Sequence, residues 1–104
     1  MPIMEIAVVP IGTQSPSVSS SVARVIKILE GRDDIHYALT SMGTIIEADS
    51  LHTLFDIAHA MHTTLLQEEH IHRVLTSIKI DDRTDKKITM GSKTQSVRNK
   101  LKGK

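Results

Sequence analysis

The sequence predicts an α+β sandwich in which elements follow the order strand, helix, strand, strand, helix, strand. Three observations carry this expectation. The runs Ala38–Met42 and Thr44–Ala48 are strand-like and separated by Gly43 alone, which reads as a hairpin. This hairpin lies between two amphipathic helical stretches. An apolar strand, Met4–Ile11, precedes the first helix, and another, Val74–Ile80, follows the second. Such an order defines the split βαβ, or ferredoxin-like, sandwich. It defines an architecture and leaves the function open, because that fold hosts many.

In the first strand Met4, Ile6 and Val8 share one side, and Ile3, Ala7, Val9 and Ile11 share the other, with Glu5 the sole charge. Helices cover only one face of such a sheet, and an open face is normally polar. A strand apolar on both sides therefore needs a second cover. The simplest is another copy of the chain, and the alternative is a C-terminal segment folded back over the sheet.

Gly12–Ser21 is a small-residue loop running into a helix, with Ser15 before Pro16 or Ser17 one turn later as the capping residue. Val18, Val22, Val25, Ile26 and Leu29 form its apolar stripe, and Gly31 ends it as a left-handed residue would. Arg32–Asp34 turns into the second strand. Asp49 or Ser50 starts the second helix, whose buried face is expected to hold Leu51, Leu54, Phe55, Ala58, Met61 and Leu65. In the last strand Val74, Thr76, Ile78 and Ile80 alternate with Leu75, Ser77 and Lys79. The mixed-charge turn Asp82–Lys87 follows, and then a short final helix over Ser92–Lys102 with the thin apolar pair Val97 and Leu101.

Bulk properties narrow the function classes. The 104 residues fit one domain, residues 1–104, that buries roughly two-thirds of its unfolded surface. Thirteen basic and twelve acidic residues leave a net charge of +1, which gives the whole chain no general pull toward nucleic acid or membrane. No cysteine is present, which excludes disulfides and thiolate chemistry. The opening MPIMEIAVVP lacks a basic n-region and a long apolar core, and no apolar run nears the ~20 residues that span a bilayer. A cytoplasmic protein is expected. Tyr37 and Phe55 are the only aromatics, so aliphatic side chains and methionine must line any pocket.

Six histidines raise the question of a metal. His59 and His62 lie about one helical turn apart, and His70 and His72 flank a strand start, yet no H-E-x-x-H motif and no cysteine assist them. No metal site is expected. His62 falls on the buried side of the second helix and is either a satisfied core residue or part of a pocket. The loop Gly12-Thr13-Gln14-Ser15-Pro16-Ser17 delivers backbone N–H groups to a helix start, but it has neither the spacing of a P-loop nor a dinucleotide fingerprint. Glu47, inside a strand between apolar neighbours, must be solvated, paired (with Lys79, for example) or aimed at a cationic or aminopyrimidine-like ligand. On alternation Ile45 and Glu47 share one face, and Thr44, Ile46 and Ala48 share the other. Residues 91–104 hold five basic and no acidic groups. The RNA-recognition module shares this element order, but it stacks bases on sheet aromatics, and here the inner strands carry none and Tyr37 is the only candidate, so no nucleic-acid partner is expected.

Taken together, Val8-Val9-Pro10-Ile11-Gly12-Thr13 with Ser17-Val18-Ser19, Met42-Gly43-Thr44-Ile45-Ile46-Glu47, the helical His62, and Arg73-Val74 with Ile78-Lys79-Ile80-Asp81-Asp82-Arg83-Thr84-Asp85-Lys86 resemble the small thiamine-binding proteins of the YkoF-like group. The likeness runs from about Ile6 to Leu101. It implies a ferredoxin-like fold assembled as a homodimer or homotetramer. It further implies binding of thiamine or its hydroxymethylpyrimidine moiety without known catalysis, and no cofactor is expected. Joined to the residue chemistry, the expected ligand contacts are Thr13, Ser17, Met42, Gly43, Thr44, Glu47 and Ile80. Glu47 would accept from the ring amine, the hydroxyls would position polar groups, and Met42 and Ile80 would pack on the ring faces. Two alternatives stand beside this one: an enzyme acting on a thiamine-related or phosphorylated metabolite with Glu47 as general base, and a structural oligomer whose sheet face only joins subunits.

Overall fold

In a computed structural model of the chain, which describes residues 1–13 and 19–102, the expected order is present with an additional helix at the end. The elements are β1 (Ile3–Pro10), α1 (Ser19–Ile26), β2 (Ile35–Thr40), β3 (Gly43–Ala48), α2 (Leu51–Leu66), β4 (Val74–Asp81) and α3 (Met90–Lys102). The four strands form one sheet in the order β2-β3-β1-β4, with neighbouring strands antiparallel. This is the ferredoxin-like α+β fold.

Alternation along β1 sorts the sheet into two faces. Met4, Ile6 and Val8 point to the helices and are buried with Ile46, Val25, Leu29, Leu54, Ile57, Met61 and Leu65. In α2 the buried face is Leu54, Ile57, Ala58, Met61 and Leu65. Leu51 and Phe55, expected in this stripe, are exposed, because Phe55 lies about 100° around the helix from Leu54, on the flank rather than the face. Ile57 takes the place expected of them. Of the two expected starts, Ser50 rather than Asp49 caps the helix, its hydroxyl accepting from the Thr53 N–H at 3.1 Å.

Two boundaries move for local reasons. α1 stops at Ile26, and the chain tightens into i→i−3 bonds (Ile28 N–H to Val25 O, Leu29 N–H to Ile26 O) before Gly31, whose φ of +80° is the left-handed conformation expected there. Ser15, Pro16, Ser17 and Val18 lie outside the described residues. The hairpin turn is Ser41–Met42, with Gly43 already in β3 opposite Thr40. The Thr40 hydroxyl fixes this turn, donating to Gly43 O at 2.7 Å and accepting from Met42 N–H at 3.2 Å.

The final helix begins at Met90, two residues before the expected start. Thr89 and Ser92 explain the shift. Ser92 N–H donates to Thr89 Oγ1 at 3.0 Å while Thr89 N–H donates to Ser92 Oγ at 2.8 Å, a reciprocal capping box with serine in the third position.

Candidate functional site

At the hairpin end of the sheet, β1 outruns its neighbour. Its ladder with β3 covers Ile3↔Glu47 to Ile6↔Thr44, whereas its ladder with β4 continues to Pro10↔Val74. From Ala7 onward β1 thus presents a backbone edge that β3 does not pair. A strand edge offers N–H and C=O groups that need partners. A cavity of about 270 Å³ opens along this edge. Val8, Ile6, Val25 and Met61 line its inner wall, and Leu39, Met42, Gly43 and Thr44 supply the hairpin side. None of the described residues lining it is ionisable, and its side-chain polar groups are the hydroxyls of Thr40, Ser41 and Thr44.

Local sequence explains each wall. Gly43 permits the close approach of β3 to β1: a Cβ there would stand 3.0 Å from Ile6 O. Thr44 faces the helices, as alternation requires, and is only 5% exposed. Met42, at the hairpin tip, is 81% exposed and hangs at the cavity rim, where its flexible thioether can close over an occupant.

Of the residues expected at the ligand, the structure brings Met42, Gly43 and Thr44 to this cavity. Thr13 is half-buried after Gly12 and is not among the described lining residues. Ser17 lies outside the described residues. Ile80 pairs with Met4 on β1 and packs against the helix-side core, and it also borders a second cavity of about 420 Å³ that lies mainly on the opposite face, beneath the start of α3.

Glu47 is also separated from Thr44. They are three positions apart along the strand, so they project to opposite faces. The Glu47 carboxylate is buried at 6% exposure, and its Oε2 accepts from Met90 N–H at 2.8 Å, at the start of α3. A carboxylate at a helix N-terminus meets both an unpaired donor and the positive end of the helix dipole. Lys93, one turn further on, pairs with Asp81. The group expected to hold a ligand is thus engaged in holding the last helix. Sequence reasoning missed the β1 edge. The signal was present in unequal strand lengths, eight residues in β1 against six in β3.

His62 resolves as a satisfied structural residue: its Nδ1 lies 2.6 Å from Thr76 Oγ1, linking α2 to β4, and it lines neither cavity. Among the described residues no cluster of three His, Cys, Asp or Glu could hold a metal ion, and no helix is long and apolar enough to cross a membrane. Perturbed titration occurs away from the cavity. Hydrogen bonds from Arg32 and Arg83 hold the carboxyls of Asp34 and Asp85 below the usual carboxylate value, both pairs at the surface.

Residues 4–98 match the family of thiamine-binding proteins. The chain belongs to that family. Among its relatives, the UPF0045 protein YqgV of Bacillus subtilis is 48% identical over 104 residues, spanning 97% of this chain and 98% of the relative. The crystal structure of hypothetical protein MJ1052 from Methanocaldococcus jannaschii superposes with a TM-score of 0.82 at 30% identity, covering 92% of this chain and 94% of that one. A domain of unknown function from Bacillus cereus superposes with a TM-score of 0.77 at 25% identity, covering 95% and 91%. The family and fold expected from the hairpin, loop and last-strand motifs are therefore established.

Proposed function

We propose that the protein is a non-enzymatic, cytoplasmic binder of hydroxymethylpyrimidine or of thiamine through its pyrimidine ring, in a carrier, salvage or sensing role, and that the ring sits in the cavity beside β1. One observation carries this reading: an apolar cavity whose wall is a strand edge that β3 does not pair. An aminopyrimidine presents an amine donor next to a ring-nitrogen acceptor along one flat edge. A β-strand edge presents the complementary acceptor and donor from its backbone, so recognition needs no charged side chain. Membership of the thiamine-binding family supports the same ligand class.

Size and charge refine the choice. Ligand cavities typically span about 300–1,000 Å³, and this one is about 270 Å³. One ring with its substituents fits such a volume. The thiazolium of thiamine would remain at the mouth, near Met42. That placement also agrees with the neutral lining, because burying a cation among apolar side chains without a partner is costly.

Self-association completes the reading. The sheet face away from the helices exposes Val9 at 37% and Leu75 at 56%, which supports a homodimer or homotetramer built on that face.

Isothermal calorimetry with hydroxymethylpyrimidine and with thiamine tests the ligand assignment. The reading expects saturable binding of both, with thiamine within about tenfold of the pyrimidine because its second ring adds few buried contacts. Heat from thiamine alone would place recognition on the thiazolium and refute the assignment to this cavity. Heat from neither would refute the ligand class.

A further inference from the structure

The C-terminal helix is large enough to matter and buries nothing. α3 is 13 residues long, and none of them is buried. Among the described residues its hydrogen bonds and ion pairs with the rest of the chain are at its root, where Met90 N–H meets Glu47 and Lys93 meets Asp81. Beyond that root Val97 is 59% exposed and Leu101 69% exposed. Met90, Thr94, Val97 and Leu101 are spaced by four, three and four, so they form one stripe along the helix. A helix of this length is marginal in water without packing.

The whole chain bears the mark of this arm. Its radius of gyration is 15.6 Å, where a compact domain of its length has about 13 Å. Its accessible surface is 7262 Å², against about 5,800 Å² for a compact monomer of its mass. The excess surpasses the ~800 Å² that each partner contributes to a standard interface.

Charge names the occupant. Residues 1–89 carry eight basic and twelve acidic groups, and residues 90–104 carry five basic and none acidic. Body and arm thus have opposite sign within one chain, which makes two copies mutually complementary. Geometry names the place. The arm is rooted at the Glu47 end of the outer sheet face, and the exposed apolar residues of that face, Val9 and Leu75, pair with each other at the far end of the β1–β4 ladder. The stripe from Met90 to Leu101 is about 17 Å long. The distance along β1 from Ile3 to Val9 is about 20 Å, so an arm of this length matches the outer face it would cover.

We infer that α3 is an exchanged arm, which lays its Val97–Leu101 stripe on the outer sheet face of a second copy, against Val9 and Leu75. Glu47 and the Lys93–Asp81 pair act as positioning groups that set the angle at which the arm leaves its own body. This inference rests on the self-association proposed above and names the element that produces it.

The experiment combines sedimentation with cross-linking. The full chain is expected to sediment at twice the monomer mass or more, and Val97→Asp with Leu101→Asp is expected to lower that mass at least twofold. Both residues are exposed, so the circular dichroism of the fold serves as the control that the body is intact. Because the chain has no cysteine, Val97→Cys chains mixed with Leu75→Cys chains and mildly oxidised are expected to give a mixed covalent dimer, reduced in yield by high salt that screens the arm's charges. A double variant that keeps the parent mass, with no mixed dimer, would overturn the arm while leaving self-association in place. A full chain that sediments as a monomer would overturn both. Neither result touches the ligand assignment, which calorimetry reads separately.

Discussion

The two faces of the sheet are made by the same strands and meet opposite fates. On β1, Met4 and Ile6 are at most 1% exposed beneath the helices, while Val9, on the other face, is 37% exposed. On β3, Thr44 faces the helix side and lines the apolar cavity, while Glu47, on the other face, fastens α3. In the proposed function the helix side is the binding unit, and the outer side is the assembly unit. Three residues of separation suffice to move a polar group from one role to the other, because strand alternation leaves no intermediate placement.

The sharpest way to break this contrast is to delete methyl groups on each face. Ile46→Ala, at a position with no exposed surface, is expected to cost about 2–5 kcal/mol. Val9→Ala should cost less than about 1 kcal/mol, since exposed sites contribute little. Urea unfolding at one protein concentration measures both. Equal losses would show the outer face to be as deeply committed to the fold as the inner one.

A second variant tests the cavity wall. In Gly43→Ala the new Cβ meets Ile6 O at 3.0 Å, so the hairpin must shift away from β1 at a cost of about 1–3 kcal/mol. Calorimetry should then show weaker pyrimidine binding as well as the lower stability. Loss of stability with unchanged affinity would detach the hairpin from the ligand.

Glu47 provides the test between faces. Thr89→Ala removes a capping residue and is expected to loosen α3 by about 0.5–2 kcal/mol, visible as faster amide exchange in Met90–Lys102. Glu47→Gln should likewise speed exchange at Met90, because the charge that favours a helix N-terminus is lost, and leave pyrimidine affinity within about twofold, because Glu47 is not among the residues lining the cavity. A tenfold loss of affinity on Glu47→Gln would return this residue to the ligand.

These outcomes bear on what the sequence itself made legible. Element order, the Ser50 cap, the left-handed Gly31 and the inner face of β1 follow from short-range patterns, and the structure reproduces them. Phe55 misled because hydrophobicity was read without its angle around the helix axis. The turn at Ser41–Met42 was hidden because a threonine hydroxyl, rather than a glycine, satisfies its backbone. The cavity was half legible. Met42, Gly43 and Thr44 follow from position in the hairpin, but the free edge of β1 depends on where two ladders end, and ladder ends are a property of pairing that no single segment encodes. Glu47 and Thr44 were both expected at the ligand from strand-end and loop position, although the alternation already noted for the strand puts them on opposite faces.

The smallest expected effect concerns acid. Hydrogen bonds from Arg32 and Arg83 lower the folded-state pKa of Asp34 and Asp85. A depressed carboxylate contributes stability that is present above its ordinary pKa, near 3.8 in the unfolded chain, and is lost as pH falls through the lower folded value. Carboxyl chemical shifts should show both groups titrating below 3.8, with the depression shrinking in salt because the pairs are solvent-exposed. Titration at the ordinary value would remove these pairs from any account of acid stability.

Amide chemical-shift mapping with hydroxymethylpyrimidine tests the account most directly, since every backbone group near the cavity reports on it separately. Binding should move the Ala7–Val9 and Met42–Thr44 amides and leave Glu47, Met90 and Lys93 unchanged. Shifts gathered around Glu47 and Met90, with the β1 edge silent, would contradict it.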